Sequence, residues 1–305
     1  MGTPDAARLA SGKCAFDDIY DQPVPDAYFT RLKPLQYQTP HHAQPVFRRA
    51  ARALAGLRGR RPVEVLDLCC GYGVNAALLN HRVSLADLYR RFRLARQART
   101  SHDQRIGGDA AYFRQRGIAP RPARVTGVDV AANALVYARA VGLLEQSVNV
   151  DLETGRLDAA AAAGLARADL VTVTGGFSYI GARSLSRLLG LYPARRQPWV
   201  VALPLRQMDF SACEAALQRA GLTVETWSRW PMPHRRFADA TERDATLAAI
   251  DPDGDPIRRP PSRSHLEAVL YVARPEADAA RLPLADLVQP SAVDAGETRA
   301  AVSFA

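Results

Sequence analysis

Three groups of residues in this chain have the chemical means to bind or react. The first is Asp67-Leu68-Cys69-Cys70-Gly71-Tyr72-Gly73, where a carboxylate on an apolar run is followed by two closely spaced glycines. Glycine lets a backbone turn sharply and approach a ligand closely, and a carboxylate offers two acceptor oxygens to hydroxyls or amines. This pattern suits the binding of a polar small molecule. The second is Thr174-Gly175-Gly176-Phe177-Ser178-Tyr179, which joins the same backbone freedom to a ring with a polar tip at Tyr179. The third is His41-His42, the one adjacent pair of histidines. Its ordinary pKa near neutrality suits a general base at His41, although a surface turn after Pro40 would use the same residues. The cysteines, Cys14, Cys69, Cys70 and Cys213, include no CxxC pair. Neither a disulfide framework nor a metal site is expected, and reduced thiols point to a cytoplasmic protein.

These groups need a frame, and the apolar runs supply one. Short runs rich in β-formers predict strands over 63–68, 124–130, 147–152, 169–174, 199–203, 223–230 and 265–273. Between them, helical spacing predicts helices opening at 75 and covering 131–142, 158–166, 182–189 and 211–220. Strands alternating with helices imply a doubly wound, parallel α/β sheet. No clear helix separates the last two strands, so they predict a closing antiparallel hairpin on a seven-stranded sheet. The proline- and charge-rich stretch 231–264 reads as a loop or lid. The expected organisation is an N-terminal helical arm over 1–60 with a helix after Pro45, a ligand-binding domain over 61–275 with a helical insertion at about 81–122, and a loosely ordered tail over 276–305.

The net charge of +9, with a pI near 9.8, suits an anionic partner. The basic residues read as spread along the chain, with no basic stripe interleaved with aromatics, so nucleic acid is not the expected partner. No long uncharged apolar run predicts a membrane span. The first residues lack the charged start and apolar stretch of a secretory signal.

Residues 65–73 resemble the first motif of class I S-adenosylmethionine (SAM)-dependent methyltransferases, a strand ending in an acid and a glycine turn. The family usually has glycine where Cys69 stands, and a cysteine there reaches a left-handed backbone less cheaply. Val125-Thr126-Gly127-Val128-Asp129 resembles the family's second strand, and Asn149-Val150-Asp151-Leu152 its third. Residues 169–174 resemble the fourth strand, and the step at 221–224 with the last strand resembles the C-terminal hairpin. The resemblance implies a Rossmann-like fold and SAM as cofactor. It implies cofactor contacts from Asp67, Gly71, Gly73, Asp129 and Val130, with Asp129 on the ribose, and from Asn149 and Asp151 near the adenine. Thr174 and Gly175 would lie near the methionine part, and Phe177 or Tyr179 would set a ring against the sulfonium. Tyr20, Asp21, Tyr28 and Tyr37 would line a lid, and Arg206 and Asp209 would meet the substrate.

The implied activity is in-line methyl transfer to a small molecule. An alternative in the same fold is a SAM cyclase or lyase, which forms a small cyclic amino acid of the azetidine-2-carboxylate type and methylthioadenosine. An Asp/Asn-Pro-Pro-aromatic turn after the fourth strand is replaced by Gly175-Gly176-Phe177-Ser178-Tyr179, which argues against nucleobase methylation. A non-enzymatic binding protein would have lost Asp129 or the glycines. The sequence leaves the acceptor and the oligomeric state open.

Overall fold

The structure is a computed structural model and describes residues 19–98 and 100–288. Seven strands form one sheet: β1 (Val63–Leu68), β2 (Ala123–Asp129), β3 (Gln146–Asn149), β4 (Leu170–Thr174), β5 (Trp199–Leu203), β6 (Thr223–Arg236) and β7 (His265–Arg274). Their order is β3-β2-β1-β4-β5-β7-β6. Every neighbouring pair is parallel except those that β7 makes with β5 and β6. The central strands are buried on both faces, as parallel strands covered by helices must be. From β1 the chain moves outward to β2 and β3, then returns to β4 on β1's other side. That reversal puts the topological switch point at the carboxyl ends of β1 and β4, the usual ligand position in such sheets.

The α/β class, the seven strands and the antiparallel end agree with the sequence reading; several boundaries differ, among them that of β3, which ends at Asn149 and not at 152. β6 runs on to Arg236, and the expected loop contains a helix, Ala240–Ala249. Pro231 and Pro233 fit in β6 because it is the outermost strand, and its register shifts on either side of Met232-Pro233. The tail differs too. Residues 276–288 form two short helices, Glu276–Arg281 and Leu284–Val288. Leu287 is buried there, and Arg49 donates to its carbonyl at 2.7 Å. Residues 289–305, like Cys14 and the start of the arm, lie outside the described residues.

The arm contains α1 (Asp26–Leu32) and α2 (Thr39–Arg58). α2 begins before Pro45, not after it. Pro40 sits in the first turn, where its missing N–H costs nothing. Pro45 is carried inside because the buried face of Val46, Phe47, Ala50 and Leu54 holds the helix to the core. Gly59 ends it in a left-handed conformation.

After α3 (Val74–Asn80), the insertion folds as two helices, α4 (Leu85–Gln97) and α5 (His102–Gln115). Each starts with a reciprocal capping box, Ser84 with Asp87 and Ser101 with Gln104. α4 buries Leu85, Leu88, Tyr89, Phe92 and Ala95 on one stripe. Arm and insertion are bound together. Phe29 stacks on Phe92 at 4.4 Å. Arg105 pairs with Asp26 of α1 and with Asp109, which also accepts from Arg91 and from Tyr137 at 2.9 Å. Asp109 is fully buried, and three donors surround its carboxylate. Tyr137 belongs to α6 (Ala132–Ala140), which follows β2, so this cluster also fixes the cap to the sheet layer.

Candidate active site

The glycine turn after β1 has three left-handed residues: Cys69 at φ 53°, Gly71 at φ 49° and Gly73 at φ 75°. Gly73 caps α3, and a Cβ there would press to 3.3 Å on Ala138 and Leu143. Cys69 takes the left-handed position that the family gives to glycine, at a cost of about 1–2 kcal/mol. Its presence explains Gly176 on the neighbouring loop. A Cβ at Gly176 would lie 2.8 Å from both Cβ and Sγ of Cys69. The side chain gained at one turn is matched by the side chain absent from the other.

Asp129, at the carboxyl end of β2, braces this turn. Its Oδ2 accepts from Gly71 N at 2.7 Å and its Oδ1 from Ala131 N at 2.9 Å. Burial raises its pKa, against the pull of those backbone donors. Val130, next to it, leaves an apolar side chain 60% exposed. Asn149 pairs with Asp129 across β2 and β3 and donates from Nδ2 to its carbonyl at 2.9 Å. Asp151 turns its oxygens inward to Glu153 N and the Thr154 hydroxyl, a local turn that lowers its pKa, chiefly through Thr154.

Asp67 stands at the switch point and is completely buried. Its Oδ1 accepts from Thr172 Oγ1 at 2.7 Å and from Asn75 Nδ2 at 2.9 Å. The same Asn75 nitrogen reaches Thr174 Oγ1 at 3.0 Å, tying the ends of β1 and β4 together. Asp67 Oδ2 is buried with no hydrogen-bond partner among the described residues. Burial pushes this carboxyl up to about 7, against the bonds from Asn75 and Thr172. Gly175 follows Thr174 with φ 70°.

The arm crosses this carboxyl edge as a strap. At one end Asn133 N donates to Asp21 Oδ1 at 2.7 Å. At the same end the Tyr72 hydroxyl of the glycine turn accepts from Gln22 N at 2.8 Å and shares its one proton between the Ile19 and Gln22 carbonyls. At the far end Gln38 N donates to His234 O at 2.8 Å and Arg236 N to Leu35 O at 2.6 Å, so the arm pairs with β6. Tyr28 lies between Tyr20, Tyr37 and Tyr72, with ring centroids at 5.6, 6.3 and 5.9 Å. Burial drives Tyr37 and Tyr28 well above the usual phenol range, and the nearby Asp67 adds to the rise at Tyr37.

Tyr37 and His234 converge on Gly175. A Cβ on that glycine would lie 3.4 Å from His234 Cε1 and 3.9 Å from Tyr37 Oη. Thr39 Oγ1 and His234 Nδ1 are 2.7 Å apart, and Tyr37 hydrogen-bonds to Thr39 and Tyr28. Sequence reasoning missed His234 because the prolines masked its strand. The signal was the alternation that buries Met232 and His234 and continues past Pro231 and Pro233.

The structure therefore brings Asp67, Gly71, Gly73, Asp129, Val130, Asn149, Thr174 and Gly175 to one edge, with Asp151 just beyond it. Tyr179 follows a single helical turn, Gly176–Ser178, and is partly exposed. Phe177 is core, edge-on to Phe210 at 5.0 Å. His41 lies in the first turn of α2 with its ring edge-on to His42, and burial lowers its pKa. Arg206 is not a substrate contact. Its side chain is enclosed by Asp255, Glu267 and the Ile257 and Arg259 carbonyls, and holds the 250–260 segment to the sheet. Asp209 Oδ1 accepts from Ser211 N at the start of the following helix. Among the described residues no cluster of histidine, cysteine or acids could hold a metal ion, and no helix is long and apolar enough to cross a membrane.

The strand order with its single antiparallel strand, and the glycine turn at the switch point, define a Rossmann-like α/β fold, the fold that the sequence resemblance to class I SAM-dependent methyltransferases implies. No protein-family model matches the chain. No curated protein matches it either. Among solved structures it is similar to the plantazolicin methyltransferase BpumL in complex with SAH, at 11% identity and TM-score 0.46 over 90% of this chain and 96% of that one. It is also similar to magnesium protoporphyrin IX methyltransferase from Synechocystis with bound SAM, at 14% identity and TM-score 0.38 over 88% and 90% of the two chains. A third is a TehB-like SAM-dependent methyltransferase from Corynebacterium glutamicum, at 15% identity and TM-score 0.35 over 72% and 85%.

Proposed function

We propose that the chain binds SAM on this edge and transfers its methyl group in line to a small molecule. The observation that carries this reading is the left-handed glycine turn held by Asp129 at the switch point. The parts of SAM find matching groups along the edge. Asp129 uses one lone pair of each oxygen on the backbone and has acceptor capacity left for ribose hydroxyls. Val130 offers an exposed apolar surface to the adenine, with Asn149 and Asp151 at its rim. Gly71 and Gly73 let the backbone approach. The buried, unpartnered Asp67 Oδ2 would accept from the cofactor's ammonium, and Thr174 and Gly175 border its methionine part. SAM supplies an electrophilic methyl on a sulfonium that is already a good leaving group.

The chain's own residues align the reactants and exclude water. The strap supplies the exclusion: Tyr37 is buried near Asp67 and packs edge-on against the buried Tyr28, and Tyr72 anchors the segment that carries them. Tyr179 is the candidate ring at the acceptor side. His41 is a candidate base, joined in that role by His234, whose imidazole lies nearer the end of β4.

One observation favours a second reading, the reaction of SAM with itself. The cluster of buried tyrosines in the arm, with Tyr37 near Asp67, is the kind of water-excluding surface that a reaction without a second substrate needs. Both readings are tested by calorimetry with SAM, then by incubation with SAM alone and mass spectrometry. Binding with SAM left intact supports methyl transfer to a separate acceptor. Methylthioadenosine with a matching small amino acid, and no S-adenosylhomocysteine, establishes the second reading. Absence of SAM binding overturns both.

A further inference from the structure

The positive charge of this protein is not spread evenly. Between residues 81 and 122 there are ten arginines and three aspartates, a net +7 within a chain of net +9. That corrects the reading of the sequence as uniformly basic, and the structure gives the concentration a place. Two of the three aspartates are neutralised locally. Asp109 is buried among Arg91 and Arg105, and Asp87 is occupied by Ser84 and Arg90.

The apolar stripe of α4 faces the core, so helical spacing sets Arg90, Arg93 and Leu94 on its outer side. All three are exposed, and Leu94 is 53% exposed, a large apolar side chain among guanidinium groups. Arg116, at the end of α5, lies over the Tyr112 ring at 3.9 Å, and its carbonyl accepts from Arg82 N at 2.7 Å. Arg91 approaches the same ring at 5.2 Å. Backbone and ring contacts thus gather Arg82, Arg91 and Arg116 around Tyr112, and Arg90, within electrostatic reach of the same ring, lies one turn before Leu94 on α4.

We infer that this outer face of the insertion is a docking surface for an acidic protein that presents an apolar side chain to Leu94. Arginine is enriched at protein interfaces, and an apolar centre ringed by charge is their usual plan. A concentrated field of one sign steers an oppositely charged partner and fixes its orientation. The face lacks the stacking platform that a single-stranded nucleic acid would use. The insertion's Tyr89, Phe92 and Phe113 are buried, and Tyr112 is covered by two guanidinium groups, so none offers a ring for a base to stack on. The docking surface is independent of the reaction proposed above.

The test is fluorescence anisotropy on the full chain with two labelled probes, a short helical peptide bearing glutamates beside a leucine stripe and a DNA duplex of similar charge. The peptide should bind, more weakly as salt rises. The double variant Arg90→Glu with Arg93→Glu should lose about tenfold or more in affinity, and Leu94→Ser about threefold. Arg219→Glu, an exposed charge on another helix, should change nothing. All four side chains are exposed, so thermal unfolding should hold steady across the set and separate lost docking from lost folding. The inference is overturned if the peptide does not bind or if Arg219→Glu costs as much. It is also overturned if Leu94→Ser is silent while the duplex binds as tightly, which would make this a nucleic-acid surface.

Discussion

The carboxyl edge of the sheet and the cap over it are held by different means. The edge is backbone work: left-handed turns at 69, 71 and 73, peptide N–H groups aimed at Asp129, and strands in fixed register. The cap is side-chain work, with Arg105 bridging α1 and α5, Tyr28 among four other rings, and Asn133 holding Asp21 across a long stretch of sequence. A backbone device tolerates few residue types and punishes the wrong one locally. A side-chain device can be cut at one bond and fail over a wide area.

The contrast is broken most severely at Arg105. Arg105→Ala removes one of Asp109's charged partners and strands Asp26, which should cost about 3–5 kcal/mol in stability, read as a lowered urea midpoint. If the midpoint barely moves, the cap is held by its aromatic contacts instead. Asp129→Asn should do the reverse, lowering SAM affinity about 10- to 100-fold by calorimetry while leaving the urea midpoint nearly in place. A large loss of stability with little loss of affinity would make Asp129 a brace only.

The third prediction concerns pH. A buried Asp67 with a pKa near 7 binds a proton more tightly when folded, so its ionisation opposes folding as pH rises from the ordinary carboxylate range through about 7. A cationic ligand group favours the ionised form. SAM affinity should therefore climb as pH rises towards 7, by up to about tenfold per unit, and level off above it. Asp67→Asn should abolish that slope and gain stability at pH 8. A slope that survives the substitution assigns the titration to another group.

The smallest effect sharpens the comparison most. Gly176→Ala should cost about 1–3 kcal/mol by forcing a Cβ onto Cys69. Cys69→Gly should be nearly neutral by itself and should restore most of that loss in the double variant. Additive losses in thermal unfolding would show that the two turns do not interlock.

The same contrast explains what could be read in advance. The glycine turn, Asp129 and the central strands were legible because each is a local demand of backbone geometry or of burial on both faces. β6 was cut short because Pro231 usually ends a strand, and the rule yields only at an unpaired edge, a position that no local pattern reveals. His234 vanished with that stretch. Arg206 looked like a substrate contact because arginine after β5 suits one, yet Asp255 and Glu267 consume it from far along the chain. The capping boxes at Ser84 and Ser101 were present in the sequence as S-x-x-D and S-x-x-Q, while the tie between the insertion and the arm had no local mark at all.

The outer strand has a consequence for the behaviour of the protein in bulk. An outermost strand running from Thr223 to Arg236 would offer a neighbouring molecule a long ladder of unpaired peptide groups, the starting point for stacking into fibres. Pro231 and Pro233 contribute no N–H to such a ladder, the register breaks around them, and residues 35–38 of the arm already occupy the strand at 234–236. The segment that crosses the carboxyl edge therefore also keeps one copy of the protein from templating the next, and trimming it back should appear as turbidity on storage before it appears in any assay of turnover.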